Sequence, residues 1–421
     1  MSNGDAVLEQ IKLFGFDSSI VPDINFAEKD ASIVQSDTLA NYNRAFQEAT
    51  QSAKTLGRSD PIRIFLLNQI YQIVTQRSIV DSTGKQNLIK YSRGDNLDNI
   101  GARWGPTRGV RLLAQRAGTV LRFSLAASLA IRATIPYHTI AQTNEGIQFW
   151  TKRESQIPIG SLTVDIPAEA VVPGSLANNF PPGTVTDLTS WSAPFLIGVT
   201  NLTITSGGAD RETDNRFRAR IWMAPESFSV AGPYGAYEYW TSTVNADIES
   251  IKVYGDPRIP GEVWIYFLML GGRLPTLAEK QQVLDLYHPI SGPDDIRPLT
   301  DFVSTPDPTV IPFMVNAIYY VDKSKGIFAQ EVRNGIEGAY QEYLIWQQEE
   351  VNRDIVPNKM TQFLMNAGAR RVDYAWTDPT FPHTGYTKIP ASGLLGCAIA
   401  RLDPDPLMPG LVYGGLESDD D

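Results

Sequence analysis

Residues 205–221 decide how the middle of the chain folds, and they read Thr205-Ser206-Gly207-Gly208-Ala209-Asp210-Arg211-Glu212-Thr213-Asp214-Asn215-Arg216-Phe217-Arg218-Ala219-Arg220-Ile221. Two consecutive glycines predict a tight turn at the end of a strand, because glycine adopts positive φ without a steric cost. The residues after the turn predict a helix. Asp210 can cap it, while Glu212 and Asp214 suit its positive first turn. We expect either a capped surface helix or a fixed interface element.

Three arginines follow at alternate positions, at Arg216, Arg218 and Arg220. The pairs Glu212 with Arg216 and Asp214 with Arg218 stand four residues apart in the favourable order. Each pair predicts an ion pair on the helix surface, contributing about 0.2–0.5 kcal/mol. The spacing therefore predicts a structural element that charged side chains hold in place.

Towards the N-terminus, the sequence predicts helices. Apolar residues recur there at steps of three and four, which is the heptad spacing of a helix that packs on other helices. This seam consists of Leu39, Tyr42, Phe46, Ala49, Ala53 and Leu56. Asp37 or Thr38 can cap its helix, and Gly57 can end it. A second helix follows Asp60-Pro61 and is apolar on nearly every side, so we expect neighbours to bury it. A third, short helix is expected at 97–104.

The pattern changes near Gly118, where short runs with strand composition begin to alternate with turn residues. Their spacing predicts a compact antiparallel β-domain. Helices and strands alternate afterwards, as in α+β units. The predicted fold class is therefore α+β and multidomain. We expect N-terminal helices (1–115), a β-rich domain (116–205), an α+β domain with the signature (206–300) and a C-terminal α+β domain with an extended, Pro- and Gly-rich tail (301–421).

The composition argues against several classes of function. A net charge of −11 does not suit a protein that grips nucleic acid, which needs clustered Lys and Arg. The single cysteine, Cys397, allows no disulfide within the chain. The longest apolar run, 263–270, is too short to cross a bilayer, and the polar N-terminus does not look like a signal peptide. We expect synthesis in the cytoplasm, no nucleic-acid partner and no membrane insertion.

The sequence shows no motif for catalysis or for a cofactor. A Walker loop, a dinucleotide fingerprint and a Gly-x-Ser-x-Gly elbow are all missing from it. His138, His288 and His383 stand far apart, and none belongs to a pair of metal ligands. Cys397 lies among apolar residues and is expected to be a small buried thiol. We predict no enzyme, no catalytic residue, no cofactor and no metal site.

The run from Gly207 to Ile221 resembles the Gly-Gly-Ala-Asp-x-Glu-x-Asp…Arg-x-Arg signature of baseplate J-like proteins. Further segments resemble the family in the same order, namely Asp60-Pro61, Gly94 to Gly101, Arg108, Gly174 with Asn178-Asn179 and Gly183-Thr184, Val199-Thr200-Asn201, and Ala231-Gly232-Pro233 with Tyr237. One segment departs from the family. Its Ile-Pro-x-Gly-Thr turn reads Ile135-Pro136-Tyr137-His138-Thr139 here, and the missing glycine puts the positive φ of that turn in question.

This resemblance implies a structural wedge protein of a contractile-tail baseplate, assembled in the host cytoplasm and located in the virion tail. It implies two copies per wedge, N-terminal helices that bundle with a second wedge protein, and C-terminal domains that join neighbouring wedges into a ring around the central spike hub. Sheath-side proteins would be further neighbours, and the ring would support sheath contraction. Phage tails, tail-derived bacteriocins and other injection systems all fit.

Eighteen residues are expected at interfaces or structural junctions. They are Leu39, Tyr42, Phe46 and Ala49 in the seam, Gly94, Leu97, Gly101 and Arg108 around the third helix, Gly207, Gly208, Asp210, Glu212, Asp214, Arg218 and Arg220 in the signature, and Gly232, Pro233 and Tyr237 after it.

Two other functions compete with this interpretation. A receptor-binding or tail-fibre protein would use β-domains for adhesion, but it would usually form a long trimeric repeat, and the sequence shows no repeat. A cell-wall hydrolase would need a carboxylate pair or a metal site in a cleft. The sequence contains no motif for either.

Overall fold

The computed structural model describes residues 12–13, 16–128, 130, 132–190, 196–229, 231–255, 259–288, 296–313, 316–374, 397–402 and 410–418. The chain forms two compact units. Unit 1 comprises 1–111 together with 213–224, and unit 2 comprises 112–212 together with 225–421. The chain therefore passes from one unit to the other within the signature, between Glu212 and Thr213.

Unit 1 is mainly helical, and part of it comes from the middle of the chain. Its elements are β1 (Lys12–Leu13), β2 (Phe16–Asp17), α1 (Ala31–Thr50), α2 (Pro61–Lys85), α3 (Gly94–Gly101), a 3₁₀ turn (Ala102–Trp104) and α4 (Asp214–Met223). β1 and β2 pair as a hairpin, and α1 packs along α2. Leu97 and Ile100 of α3 form an apolar cluster with Phe217 and Ile221 of α4. The two segments of unit 1 therefore share one core.

The helix that carries the seam begins and ends earlier than the sequence predicted. Asp30 caps α1, since its carboxylate accepts hydrogen bonds from two backbone N–H groups of the first turn. Asp37 and Thr38 lie inside the helix, so the predicted caps are wrong. α1 ends at Gln51, which adopts a φ of 54°, and not at Gly57. The last two apolar residues of the seam therefore lie beyond the helix.

The second helix begins as predicted, with Asp60 as its cap and Pro61 in its first turn. Its burial differs from the prediction. Within α2, only Ile70 and Asp81 are buried. Six large apolar side chains are exposed instead, and they are Ile64, Phe65, Leu67, Tyr71, Ile79 and Val80. Within the described part of the chain, neighbours therefore cover only part of this helix.

The first part of unit 2 is a nearly closed antiparallel β-barrel, which confirms the predicted β-domain. Its strands are β3 (Gly118–Leu125), β4 (Ala133–Ile135), β5 (Ile140–Thr143), β6 (Gln148–Thr151), β7 (Ser155–Ile157), β8 (Thr163–Ala170), β9 (Val185–Leu188) and β10 (Leu196–Asn201). The main sheet has the order β10-β3-β8-β6-β5-β9, while β4 and β7 pair separately. Buried residues alternate with half-buried ones along β3, as expected of a strand with one face towards a core.

One amide side chain bridges the two edge strands of the barrel sheet. Asn201 is buried at the end of β10, and its Oδ1 accepts hydrogen bonds from the N–H groups of Thr184 (2.9 Å) and Val185 (3.0 Å) beside β9. Its Nδ2 donates to the carbonyl oxygens of Pro181 and Thr203. All of the amide's hydrogen-bonding groups are therefore used where the barrel closes.

A second domain of unit 2 follows the signature. Its elements are a 3₁₀ turn (Ala224–Phe228), α5 (Tyr234–Ser242), β11 (Ile248–Tyr254), β12 (Glu262–Met269), a 3₁₀ turn (Leu270–Gly272), α6 (Leu277–Tyr287) and β13 (Phe302–Ser304). β11 is antiparallel and β13 parallel to the central strand β12. Thr276 and Glu279 form a capping box that fixes the start of α6.

The C-terminal part contains two small sheets and two helices. Its elements are β14 (Thr309–Phe313), β15 (Asn316–Asp322), a 3₁₀ turn (Lys323–Phe328), α7 (Ala329–Gln348), α8 (Pro357–Asn366), β16 (Arg371–Tyr374), β17 (Ala398–Leu402) and β18 (Gly410–Glu417). β17 pairs with β14, and β18 pairs with β15, both in parallel. The expected extended tail is therefore wrong at these two strands. The rest of that expectation, at 375–396, 403–409 and 419–421, lies outside the described residues.

The predicted class, α+β with several domains, is confirmed by this arrangement of helices, barrel and small sheets. In the part of the chain that the structure describes, no helix has the length and apolar content needed to cross a bilayer.

Candidate functional site

The two glycines of the signature form a turn with very little free space. Gly207 has a φ of 83°, a conformation that favours glycine. Gly208 does not adopt positive φ, but a Cβ there would lie 2.4 Å from the carbonyl oxygen of Gly174. Asn178 binds both polar groups of Gly208, donating from Nδ2 to its carbonyl (2.6 Å) and accepting from its N–H (2.9 Å). The turn is therefore fixed against the barrel domain.

The same turn is also bound to the second domain of unit 2. The N–H of Gly207 donates to Glu279 Oε1 (3.2 Å), and its carbonyl oxygen accepts from Asn245 Nδ2 (3.2 Å). Glu279 is almost completely buried and is paired with Arg273 at 2.7 Å. Burial would raise the pKa of Glu279, but the Arg273 guanidinium and hydrogen bonds from Thr276 hold it below its ordinary value. The signature turn thus joins the two domains through a buried carboxylate.

The acidic residues after the turn have other roles than the sequence predicted. Asp210 does not cap α4; its carboxylate accepts hydrogen bonds from the N–H (3.1 Å) and Oγ (2.7 Å) of Ser175. Those hydrogen bonds lower the pKa of Asp210. Glu212 precedes the helix, and its Oε2 accepts from the N–H of Leu112 (3.0 Å). Thr213 is the residue that caps α4. The predicted capping role of Asp210 is therefore wrong.

The arginines of α4 are buried, so the helix is not the predicted surface helix. Arg218 and Arg220 are each 1% exposed. Arg218 donates to the carbonyl oxygens of Ile89 (2.7 Å) and Ser92 (2.6 Å), and burial lowers its pKa. Arg220 donates to the carbonyl oxygen of Val110 at 2.6 Å. The forked guanidinium suits this arrangement, because one side chain can satisfy several carbonyls of neighbouring loops.

A third arginine completes this cluster within unit 1. Arg111 pairs with Asp98 (2.7 Å) and with Asp214 (2.8 Å), and its guanidinium lies 4.7 Å from the ring centre of Phe217. The other oxygen of Asp214 accepts from the N–H of Gly94 (3.1 Å). Asp214 therefore ties the starts of α3 and α4 together, in place of the predicted surface pair with Arg218.

The remaining residues predicted around α3 also belong to this cluster. Leu97 is fully buried in the apolar core that α3 shares with α4. A Cβ at Gly101 would lie 2.5 Å from the Phe217 ring and 2.6 Å from the carbonyl oxygen of Gly109. Arg108 contributes its carbonyl oxygen, which accepts from Arg220 at 3.3 Å. The structure thus brings these residues together although about 110 positions separate them in the sequence.

The three predicted residues after the signature lie at the start of α5. Gly232 has a φ of 77°, and Pro233 occupies the position before the first helical residue. Tyr237 is buried, and its hydroxyl donates to Asp301 Oδ2. Burial, together with Asp301, raises the pKa of Tyr237. These residues fix α5 against the loop before β13, and nothing in their geometry points to a ligand.

The seam residues lie apart from the signature cluster. Leu39, Tyr42 and Phe46 are half-buried on α1, whereas Ala49 is exposed. The rings of Tyr42 and Phe46 stack with centres 6.1 Å apart. The seam is therefore only partly covered by the helices of its own unit.

His138 retains the turn geometry that the sequence put in question. It adopts a φ of 61° at the position where the family has glycine. Its ring stacks between those of Tyr137 and Trp150, with centres 3.6 Å and 4.2 Å away. Such stacking offsets the cost of a left-handed conformation at a residue with a Cβ. The turn therefore keeps its positive φ without the glycine.

The sequence did not single out Arg111 or Glu279, although both hold the signature in place. Arg111 gave no local signal, because its partners stand 13 and 103 positions away along the chain. Glu279 belongs to a readable capping box, but its bond to Gly207 depends on the tertiary fold. Within the described ranges, no group of three or more His, Cys, Asp or Glu side chains is arranged to hold a metal ion. Cys397 is buried as predicted, and burial raises its pKa.

A glycine turn joins the β-barrel to the α+β domain that follows, and an arginine helix completes the helical unit. This geometry is typical of a structural protein in which the distinctive residues hold domains together. Family models match the barrel and the domain that follows the arginine helix. The model of the baseplate J-like protein barrel domain matches residues 120–208, and that of the baseplate J-like central domain matches residues 229–305. The central part of the chain, at 120–208 and 229–305, is thus similar to two domains of the baseplate J-like family.

One curated relative is baseplate protein J of Escherichia phage P2. It is 26% identical over 173 residues, which cover 41% of this chain and 55% of that protein. The chain thus spans about half the length of this relative. Among solved structures, one chain of the six-fold symmetrised baseplate of the anti-feeding prophage is similar to this chain, with a TM-score of 0.40 and 10% identity. The similarity covers 90% of this chain and 100% of that chain.

Proposed function

We propose that this chain is a structural subunit of a baseplate wedge, which works by holding protein partners together and not by catalysis. The match of residues 120–208 and 229–305 to two baseplate J-like domains, together with the similarity to a baseplate protein, supports a structural role in a baseplate. The signature supports it too, because its buried glycines and arginines serve packing and leave no group aimed at a substrate in the geometry described above. The baseplate would belong to a phage tail or to a related injection system.

The main observation in support of the proposal is the set of apolar side chains that α2 exposes to solvent. Ile64, Leu67 and Tyr71 recur at steps of three and four, so they lie on one side of the helix. All three are exposed, Tyr71 by 68%. Phe65 and Ile79 extend the exposed apolar surface around the helix. Monomeric proteins rarely leave such contiguous apolar surface to water, and it usually marks a contact with a partner.

The spacing of these residues indicates what the partner looks like. Side chains at steps of three and four on one helix fit between those of another helix, as in a coiled coil or bundle. We propose that the helix pair α1–α2 bundles with helices of a second wedge protein and of a second copy of this chain. The C-terminal part (301–421) would then join neighbouring wedges into a ring around the spike hub, next to sheath-side proteins, and support sheath contraction.

Co-expression with the adjacent tail genes tests the role of α2. Tyr71→Asp places a charge on the outer side of the helix, where it disturbs no packing within the chain. We expect this variant to melt like the unaltered protein but to lose its partner in co-purification, because a buried charge would destabilise the bundle. Gln72→Asp is the matched control, with the same charge at the neighbouring exposed position. A Tyr71→Asp protein that still co-purifies would contradict the proposal.

Phe46→Asp gives the contrasting result on α1. Phe46 is half-buried, and α1 packs along α2. We expect a charge there to lower the melting temperature of the isolated chain, which Tyr71→Asp leaves unchanged. A Phe46→Asp chain that melts normally and loses only its partner would instead assign the whole seam to the intermolecular bundle.

A further inference from the structure

The loop between β15 and α7 presents apolar side chains to solvent on a fixed base. Ile327 is 91% exposed and Phe328 60%. Asp322 holds the base, accepting hydrogen bonds from the N–H of Ser324 (2.7 Å) and from Arg370 Nη1 (2.9 Å). We call residues 323–328 the tip. Its apolar end is adjacent to a helix start and a strand end, so its presentation does not depend on a long loop.

The tip also carries positive charge. Lys323 and Lys325 lie in the same six residues and are exposed. The surface that receives this tip must therefore offer apolar contact area together with carboxylates at its rim, because opposite charges steer and align an encounter.

Unit 2 carries a surface of this complementary kind near the start of α5. Leu299 is 88% exposed, and Tyr234 and Phe302 are exposed by 60% and 64%. The chain segments that carry them adjoin, since a Cβ at Gly232 would lie 3.0 Å from Asp301 Oδ2. We call Tyr234, Leu299 and Phe302 the patch. Three large apolar side chains at the surface of adjoining segments are a docking area rather than scattered exposed residues.

Carboxylates flank the patch. Glu262 faces Phe302 in the parallel ladder of β12 and β13, so the two side chains lie on the same side of the sheet. Asp301 adds a second carboxylate between Leu299 and Phe302. A positive group, Arg297, is also present, but its guanidinium donates to backbone carbonyls, including those of Tyr287 and Asp301. The charge at the rim therefore suits a basic tip.

We propose that the tip of one copy of this chain docks on the patch of a second copy. Both surfaces are exposed within one chain, so a chain's own tip does not cover its own patch. Charge complementarity and the exposed apolar residues on both sides favour their meeting between copies. Because a copy bound through its tip keeps its patch free, the contact is head-to-tail and generates a ring or an open filament. This inference rests on the proposed function, in that it names the contact through which unit 2 reaches its neighbour.

Two variants of the full chain test the head-to-tail contact, and each also carries Tyr71→Asp so that copies do not associate through the helix bundle. Ile327→Asp removes the tip and leaves the patch, while Leu299→Asp removes the patch and leaves the tip. We expect the unaltered chain to form dimers and larger species as its concentration rises, measured by sedimentation or mass photometry. Each variant alone should associate about tenfold or more weakly. An equimolar mixture should form dimers and nothing larger, because one intact tip and one intact patch remain per pair.

Leu176→Asp is the matched control. Leu176 is 84% exposed on the barrel domain, away from both surfaces in the sequence, and its variant should assemble like the unaltered chain. The inference is overturned if the unaltered chain stays monomeric up to its solubility limit, if the mixture stays monomeric, or if either variant assembles normally. Failure of the proposed bundle is a separate outcome, since Tyr71→Asp should lose the wedge partner and still self-associate.

Discussion

Gly208 shows how a single residue holds the barrel domain to the signature. A Cβ there would lie 2.4 Å from Gly174 O and 2.9 Å from Asn178 Oδ1, so the surrounding backbone must shift to admit any side chain. We expect Gly208→Ala to lower the free energy of unfolding by about 1–3 kcal/mol, and Gly208→Val by more. Gly198→Ala is the matched control in the same domain, because no described heavy atom lies within 4 Å of its Cβ position. Equal denaturation midpoints for the two alanine variants would contradict this prediction.

Arg218 tests whether shape or charge matters in α4. Its guanidinium satisfies the carbonyl oxygens of Ile89 and Ser92 at once, and the single ammonium of lysine cannot take up that forked geometry. We expect Arg218→Lys to lower the free energy of unfolding by about 2–4 kcal/mol, because it leaves a buried carbonyl without a donor. Arg103→Lys, at an exposed position of the same unit, should change it by less than about 0.5 kcal/mol. Because both changes keep the positive charge, a loss from Arg218→Lys no larger than that from Arg103→Lys would show that the site needs the charge and not the forked geometry.

The sequence predicts the kinds of residue at the signature better than their positions. Asp210 and Thr213 are both good capping residues. Only the tertiary fold determines that Asp210 accepts a hydrogen bond from Ser175 while Thr213 caps α4. For the same reason, three arginines at alternate positions predict ion pairs on a surface. In the structure, Arg218 instead donates hydrogen bonds to backbone carbonyl oxygens up to 129 positions away. Local spacing does not contain such distant partners.

At the scale of elements, α2 is the clearest case in which the sequence pattern predicts a helix but does not identify the residues that cover it. Apolar residues on nearly every side predict a buried helix, and this helix forms over the predicted residues. The pattern does not say whether the covering residues belong to the same chain. Because α1 and the segment before it cover only part of α2 in the described residues, the exposed residues of α2 are the ones that we propose to meet a partner.

A buried carboxylate, Asp81, helps to attach the segment before α1 to α2, and it makes that attachment depend on pH. Asp81 is 2% exposed and accepts from the N–H of Phe26 and from Lys29. Burial would raise its pKa, but Lys85 and those two donors lower it to about 2. A pKa that folding lowers stabilises the protein above pH ~4, and this contribution is lost as the pH falls from about 4 to about 2.

We therefore expect Asp81 to contribute about 2 kcal/mol to the free energy of unfolding at neutral pH. Asp81→Asn should lower the stability of the helical unit at pH 7 and make it less dependent on pH between 4 and 2. Thermal melts of both proteins across that range measure the difference. A constant gap between them from pH 7 to pH 2 would show that ionisation of Asp81 does not carry the effect.

At the scale of the whole molecule, the fold was predictable where the local spacing of apolar and turn residues indicates a helix or a strand. The alternation of helices and strands that the sequence predicts after the barrel is present from Asp214 to Asn366. The strands β17 and β18 were missed, because their pairing with β14 and β15 is parallel and comes from far along the chain. The closure of the barrel by Asn201 was missed for a similar reason, since a side chain replaces a strand ladder there.

The discontinuous make-up of unit 1 leads to a prediction about its folding. The segment up to Arg111 lacks α4, which supplies Phe217 and Ile221 to the shared core and the arginines that bind the loops at Ser92 and Val110. A fragment of residues 12–111 should therefore keep α1 and α2 but lose the protection of amide hydrogens in α3. Loss of two buried apolar side chains alone costs about 3–6 kcal/mol.

Appending residues 213–224 to that fragment through a short Gly-Ser linker should restore the unit. The join is feasible because Arg111 and Asp214 form an ion pair at 2.8 Å, so the two ends lie close together. We expect hydrogen exchange in α3 to slow and the melting transition to sharpen when α4 is present. The same fusion carrying both Arg218→Lys and Phe217→Ala is the control, since it keeps the added length and removes the main contacts. If the fragment without α4 protects α3 as well as the fusion does, then the N-terminal segment folds alone, and the signature helix only rests on a unit that is already complete.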